Sequence, residues 1–87
     1  MSEGTRRKLE FCMAATKECL DSIRLVDKRG NALLRFAKDY FSDAQHYAKK
    51  GNEATALEAA AYAHGFIDSL VLLGFAEIPG YHLKKSA

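Results

Sequence analysis

Residues 40–68 run YFSDAQHYAKKGNEATALEAAAYAHGFID, and two amphipathic patterns meet within this stretch at Gly51-Asn52. Before the junction, Tyr40, Phe41, Ala44, Tyr47 and Ala48 recur at steps of three and four, continuing a stripe that begins at Leu33 and Ala37. That spacing is one face of a helix. Lys49 and Lys50 lie where the negative end of its dipole would be, and Gly51 can take the left-handed backbone that closes a helix. Asn52 is suited to cap the helix that follows. After the junction, Ala56, Ala60, Ala63, Ile67 and Leu70 form a second stripe. Leu57, His64 and Val71 flank it on one side, Ala59 and Phe66 on the other. So short a link makes the two helices antiparallel, and so wide an apolar arc requires contact with a third. The alanines let the backbones approach closely, while Tyr40, Phe41 and Tyr47 supply the volume that alanine lacks.

Working outward, the third helix comes from the N-terminal side. A helix over about 5–26 places Leu9, Cys12, Met13, Leu20 and Ile23 on one face. Thr16 fills the step between Met13 and Leu20, its hydroxyl bonding back to a carbonyl of the preceding turn. Gly30 and Asn31 mark a break, with Asp27 a candidate cap for a second helix over about 28–50. The last helix covers about 53–73 and closes at Gly74. Pro79-Gly80 makes a turn that folds Phe75, Ile78 and Tyr81 back over the open end of the bundle. The expected architecture is all-α: one domain over 1–87, an antiparallel three-helix bundle with a short C-terminal tail (75–87) packed over one end. No strand pattern, coiled-coil rod or repeat array is read.

Length sets the scale. A chain of 87 residues has one small core, burying roughly 63% of its extended surface. With 48% apolar residues, 28% charged and a mean hydropathy of −0.23, the composition is that of a globular domain. The longest apolar run, Phe66 to Ile78, is broken by Asp68 and Glu77 and is too short to span a bilayer of about 30 Å. No apolar stretch follows the basic residues near the N-terminus, so no secretory signal is read and a cytoplasmic protein without membrane contact is expected. Cys12 and Cys19 are about 10.5 Å apart along one helix, beyond disulfide reach, and read as small core residues of a reducing compartment. No cofactor or structural zinc is indicated.

The net charge of +2 is unevenly placed: residues 1–50 carry eleven Lys or Arg against seven acids, whereas residues 51–83 carry four acids and no Lys or Arg. Complementarity between packed helices is the first reading. RNA or nucleotide binding through Arg6, Arg7, Lys8, Lys28 and Arg29 is an alternative, although these two basic runs are short and separate.

Asp39, Asp43 and His46 share a flank of the second helix, and a carboxylate three residues before a histidine is half of a di-metal carboxylate pattern. The other two members of this polar cluster, His64 and Asp68, lie on the third helix. Counted back from Gly51, Asp43 and His46 face positions near 59 and 56, while His64 and Asp68 lie opposite Asp39 and Arg35. That offset is on the order of 10 Å, so structural roles are expected: a hydrogen bond from Asp39 to His64 and an ion pair from Arg35 to Asp68. Metal-dependent activity near Asp39, Asp43, His46 and His64 is the remaining alternative, and no residue is assigned as catalytic. Phe11, Leu25 and Tyr62 point off the core faces. The weakly charged outer side of the third helix is where a self-contact would lie, and the reading is a non-enzymatic protein-interaction module, either a homodimer or a monomer with scattered surface aromatics that meets another protein.

The hairpin also resembles the archaeal family catalogued as domain of unknown function 357. The resemblance rests on Tyr40-x-x-Asp43-Ala44, the Lys50-Gly51-Asn52 turn, and Tyr62-Ala63-His64-Gly65 with Asp68 three residues later. Asn52 replaces the commoner aspartate and preserves capping. The resemblance covers about the C-terminal half and implies a short, left-handed three-helix bundle from an archaeon, with no established activity and no catalytic residues to transfer. It suggests structural work for the motif: Gly65 permitting close helix contact, Tyr40 and Tyr62 packing, Asp43 and Asp68 holding polar partners.

Overall fold

The computed structural model describes residues 3–81. Three helices carry the chain: α1 (Glu3–Ser22), α2 (Asn31–Lys49) and α3 (Glu53–Leu72). The central helix is α3, which lies along both α1 and α2 while those two scarcely meet each other. The wide apolar arc of α3 is thereby used on two sides. Its centre is alanine: Ala56, Ala60 and Ala63 are fully buried, as are Ala37 and Ala44 of α2. Ile67, Leu70 and Thr16 are the largest side chains completely removed from solvent. Cys12, Met13 and Tyr40, all half-buried, pack on the Ala44–Ala59–Ala60 cluster.

Local capping sets the hairpin. Gly51 has φ +78°; its N–H donates to Ala48 O at 3.1 Å and that of Asn52 to Tyr47 O at 3.0 Å. This closure satisfies the last carbonyls of α2. The Asn52 side chain then accepts from Thr55 N at 3.3 Å, starting α3. Gly74, with φ +75°, ends α3 in the same way: its N–H reaches Val71 O at 3.1 Å, and Phe75 N reaches Leu70 O at 2.9 Å.

The link between α1 and α2 departs from expectation. Helix α1 ends at Ser22 rather than near 26, and Arg24–Leu25 forms a short strand, β1. Its antiparallel partner is β2, Ala76–Glu77, with Arg24 opposite Glu77 and Leu25 opposite Ala76. Phe75 O also accepts from Val26 N at 2.9 Å and Asp27 N at 3.2 Å. A distant segment therefore replaces the helical acceptors these amides would have used, which no local periodicity announces. The capping role of Asp27 is as expected: its Oδ1 accepts from Arg29 N at 2.9 Å, opening a 3₁₀ turn at Lys28–Gly30. Beyond β2, Tyr81 N bonds to Ile78 O at 3.1 Å across the Pro79-Gly80 turn. The tail folds back as expected through residue 81; its remainder, 82–87, lies outside the described residues. Among those described, no helix is long and apolar enough to cross a membrane.

Candidate functional site

Two surfaces concentrate chemistry. The first is a polar clasp joining α1, α3 and the chain beyond β2. Thr16 Oγ1 donates to Cys12 O at 2.7 Å, the back-bond its place in the stripe suggested. With that proton committed, the lone pairs of Thr16 face His64 Nδ1, 3.5 Å away. The Tyr81 hydroxyl donates to Asp68 Oδ1 and lies 3.3 Å from His64 Nε2. His64 is thus held between two hydroxyls, with Asp68 Oδ1 at 3.8 Å. Glu18, Cys19, His64, Ile78 and Tyr81 border a crevice of about 310 Å³ at this joint. Burial pushes the Cys19 thiol up, and the carboxylates of Glu18 and Asp68 add to it. Burial, the bond to Asp68 and that carboxylate's charge together hold the Tyr81 phenol well above the ordinary tyrosine range. Both groups are kept protonated at neutral pH, the opposite of an activated nucleophile.

The Tyr81 shift has a definite sign. A phenol ionised later in the folded chain than in the unfolded one contributes stability that is complete below about pH 10 and declines as pH rises beyond it. In an alkaline titration followed by ultraviolet difference absorbance, one tyrosine is expected to ionise after the others. In Tyr81→Phe that late step is expected to disappear; a Tyr81→Phe curve that still contains it contradicts the assignment.

The sequence-derived cluster does not assemble. His64 and Asp68 share the clasp, but Asp39, Asp43 and His46 are exposed on α2, His46 standing edge-on to Tyr47 with ring centroids 5.4 Å apart. Asp39 borders an outer hollow with Asn31, Leu34, Arg35 and Lys38. The expected Asp39–His64 bond is replaced by Thr16 and Tyr81, and the expected Arg35–Asp68 pair by the Tyr81–Asp68 bond. Counting along the hairpin gave the level of His64 but not its azimuth; it lies on the side of α3 that meets α1. Among the described residues, no group of three or more His, Cys, Asp or Glu side chains is placed to hold a metal ion.

The basic residues likewise form no single patch. Arg6 pairs with Glu53 at 2.9 Å, Arg7 with Glu3 at 3.9 Å and Arg29 with Asp27 at 2.7 Å, the last also lying over the Phe75 ring at 5.0 Å. Arg6, Arg7 and Lys8 sit in the first turns of α1, while Lys28 and Arg29 follow its far end, roughly 20 Å or more away.

The second surface is an aromatic seam between α2 and α3. Phe36 stacks on Phe66 with centroids 5.4 Å apart, Phe66 on Tyr40 at 5.7 Å, and Tyr40 on Tyr62 at 5.3 Å. The four rings form a ladder alternating between the helices, yet its ends are open: Phe36 is 50% and Tyr62 55% exposed. Beside it, Glu58, Ala61, Tyr62, Gly65, Phe66 and Ser69 line a groove of about 470 Å³ on the outer face of α3. A Cβ at Gly65 would meet nothing within 4 Å. Gly65 therefore does not serve close contact within the bundle, as its motif suggested; its bare backbone faces outward. Leu72 and Leu73 are 75% and 56% exposed at the end of the same helix. The sequence pointed to Tyr62 and to the outer side of α3. It missed Phe36, Leu72 and Leu73, whose signal was apolar character at positions off the core spacing.

A sequence model of a family described as "Protein of unknown function (DUF357)" matches residues 12–76. The whole aromatic seam lies inside the match, whereas Tyr81 of the clasp lies beyond it. No curated protein and no solved structure matches the chain.

Proposed function

The chain belongs to the DUF357 family, and we propose that it is a non-enzymatic module of the reducing cytoplasm that acts by protein contact through the seam and the outer face of α3. One observation carries this reading. Among the described residues, the large apolar side chains most exposed to solvent are Phe11, Val26, Phe36, Tyr62, Leu72 and Leu73; three of them belong to the seam or to α3, and Leu73 directly follows α3. Exposed apolar residues scattered singly need no explanation, but a concentration on one face marks an association surface. The groove there has a single charged lining residue, Glu58, and interface cores are depleted in charge and enriched in aromatics. The clasp supports a structural rather than a chemical role for the histidine and carboxylate of α3, because its groups are committed to one another. Two free cysteines fit a reducing compartment.

The reading is tested by placing a photo-activated crosslinking side chain at Ala61, on the groove, or at Gln45, on the exposed side of α2, in the full chain within its native cells. Adducts from Ala61 are expected to exceed those from Gln45 several-fold, and their masses separate a second copy from another protein. Equal yields from the two positions contradict the reading.

A further inference from the structure

We infer that the partner seated on this face is a second copy of the same chain, packed with the two α3 helices antiparallel and crossing at Gly65; this rests on the face being a contact surface. Area is the first argument. A 20-residue helix is about 30 Å long. Together with the adjoining edge of α2, at about 10 Å per helix, the face is about 20 Å wide, or roughly 600 Å² in projection. That approaches the ~800 Å² per partner of a stable interface.

Charge is the second. Glu58 is the only charged residue lining the groove. A two-fold axis through Gly65 sets the two Glu58 side chains seven residues to either side, about 21 Å apart along the helices, well beyond the Debye length of about 8–10 Å. Self-pairing therefore incurs little like-charge repulsion, whereas a strongly charged foreign surface would find almost nothing here to pair with.

Shape agrees. Ala61, Gly65 and Ser69 recur every four residues down the middle of the face, where Gly65 has open space above it. In the antiparallel arrangement Ala61 meets the partner's Ser69, so small residues coincide at the crossing. The larger Tyr62 and Leu72 stand to either side, where the helices diverge. Such an isologous contact closes on itself and makes a dimer rather than a filament.

Sedimentation equilibrium on the full chain tests this, with Gly65→Gln as the probe. In a single chain the new side chain enters open space and replaces a helical glycine with a better helix former, so thermal stability is expected to hold or rise. At the crossing the same side chain blocks backbone approach. The wild-type chain is expected to dimerise with a Kd of about 10–100 μM, Gly65→Gln to raise that Kd about tenfold or more, and Gln45→Lys to leave it unchanged. Leu72→Glu, at a position 75% exposed in the single chain and seven residues from the axis, sets a second carboxylate against the partner's Glu58 and is expected to weaken the dimer as well. A chain that stays monomeric to about 500 μM overturns the inference, as does a dimer whose Kd in Gly65→Gln or Leu72→Glu stays that of the wild-type chain. If the chain is monomeric while Ala61 still crosslinks selectively to another protein, the second copy is excluded and the contact reading stands. Loss of that selectivity removes both.

Discussion

Gly30→Val is expected to destabilise the fold by about 3 kcal/mol, the upper range for forcing a side chain into a filled core. A Cβ at this position would lie 2.8 Å from Leu70 Cδ2, 2.9 Å from Leu25 Cδ1 and 2.9 Å from Phe75 Cβ. The first two atoms are side-chain ends, but Leu70 is fully buried and has nowhere to turn, and the Phe75 Cβ moves only with its backbone. That backbone carries the carbonyl that accepts from both Val26 and Asp27. The substitution therefore presses on α3, β1 and the post-α3 turn together. With stabilities of about 0.05–0.15 kcal/mol per residue, a chain of this size has little reserve against such a loss. Urea unfolding followed by helical circular dichroism measures it. Gly30→Ala is expected to lose about half as much, and a Gly30→Val chain within about 0.5 kcal/mol of the parent would show that this joint can open without penalty. Gly65 supplies the contrast: the same kind of substitution there is harmless or stabilising to the single chain, because nothing lies above it.

Ile67→Ala is expected to cost about 3–4 kcal/mol, within the range for emptying a fully buried aliphatic site. The cost of such a change depends on how far the surroundings can collapse. Ile67 is completely buried on a helix whose other inward residues are largely Ala56, Ala60 and Ala63, and alanine has no rotamers with which to fill a void. Ile67→Val, which removes one methylene, is expected to cost about 1 kcal/mol. A loss below about 1 kcal/mol for Ile67→Ala in the same urea experiment would mean that α3 shifts bodily toward its neighbours. In a core built mainly from alanine, a few large residues carry a disproportionate share of the burial energy.

How much of this was legible in the sequence follows from how far each signal reaches along the chain. The hairpin was readable because each of its determinants lies within a turn or two of the residues it controls. The alanine stripe repeats at helical steps, Gly51 closes α2, Asn52 caps α3, and Thr16 bonds to a carbonyl four residues back. The β1–β2 pair was not readable, since two residues contain no periodicity and their partners are some fifty positions away. The His64 neighbourhood was half readable. Its distance along the helix from the turn follows from rise per residue, but whether that flank of α3 meets α1 or α2 depends on which side α1 docks.

By itself, then, the sequence determined three helices, the two helix ends that meet at Gly51-Asn52 and the antiparallel hairpin, because helix periodicity, caps and a three-residue link act locally. Only the tertiary structure decided that His64 joins Thr16 and Tyr81 rather than Asp39, that Gly30 must have no side chain while Gly65 has room for one, and that Phe36 and Tyr62 end an exposed ladder. Each of these depends on the sideways placement of one helix against another. That placement is set by the summed packing of residues far apart in the chain, which no single window of sequence contains.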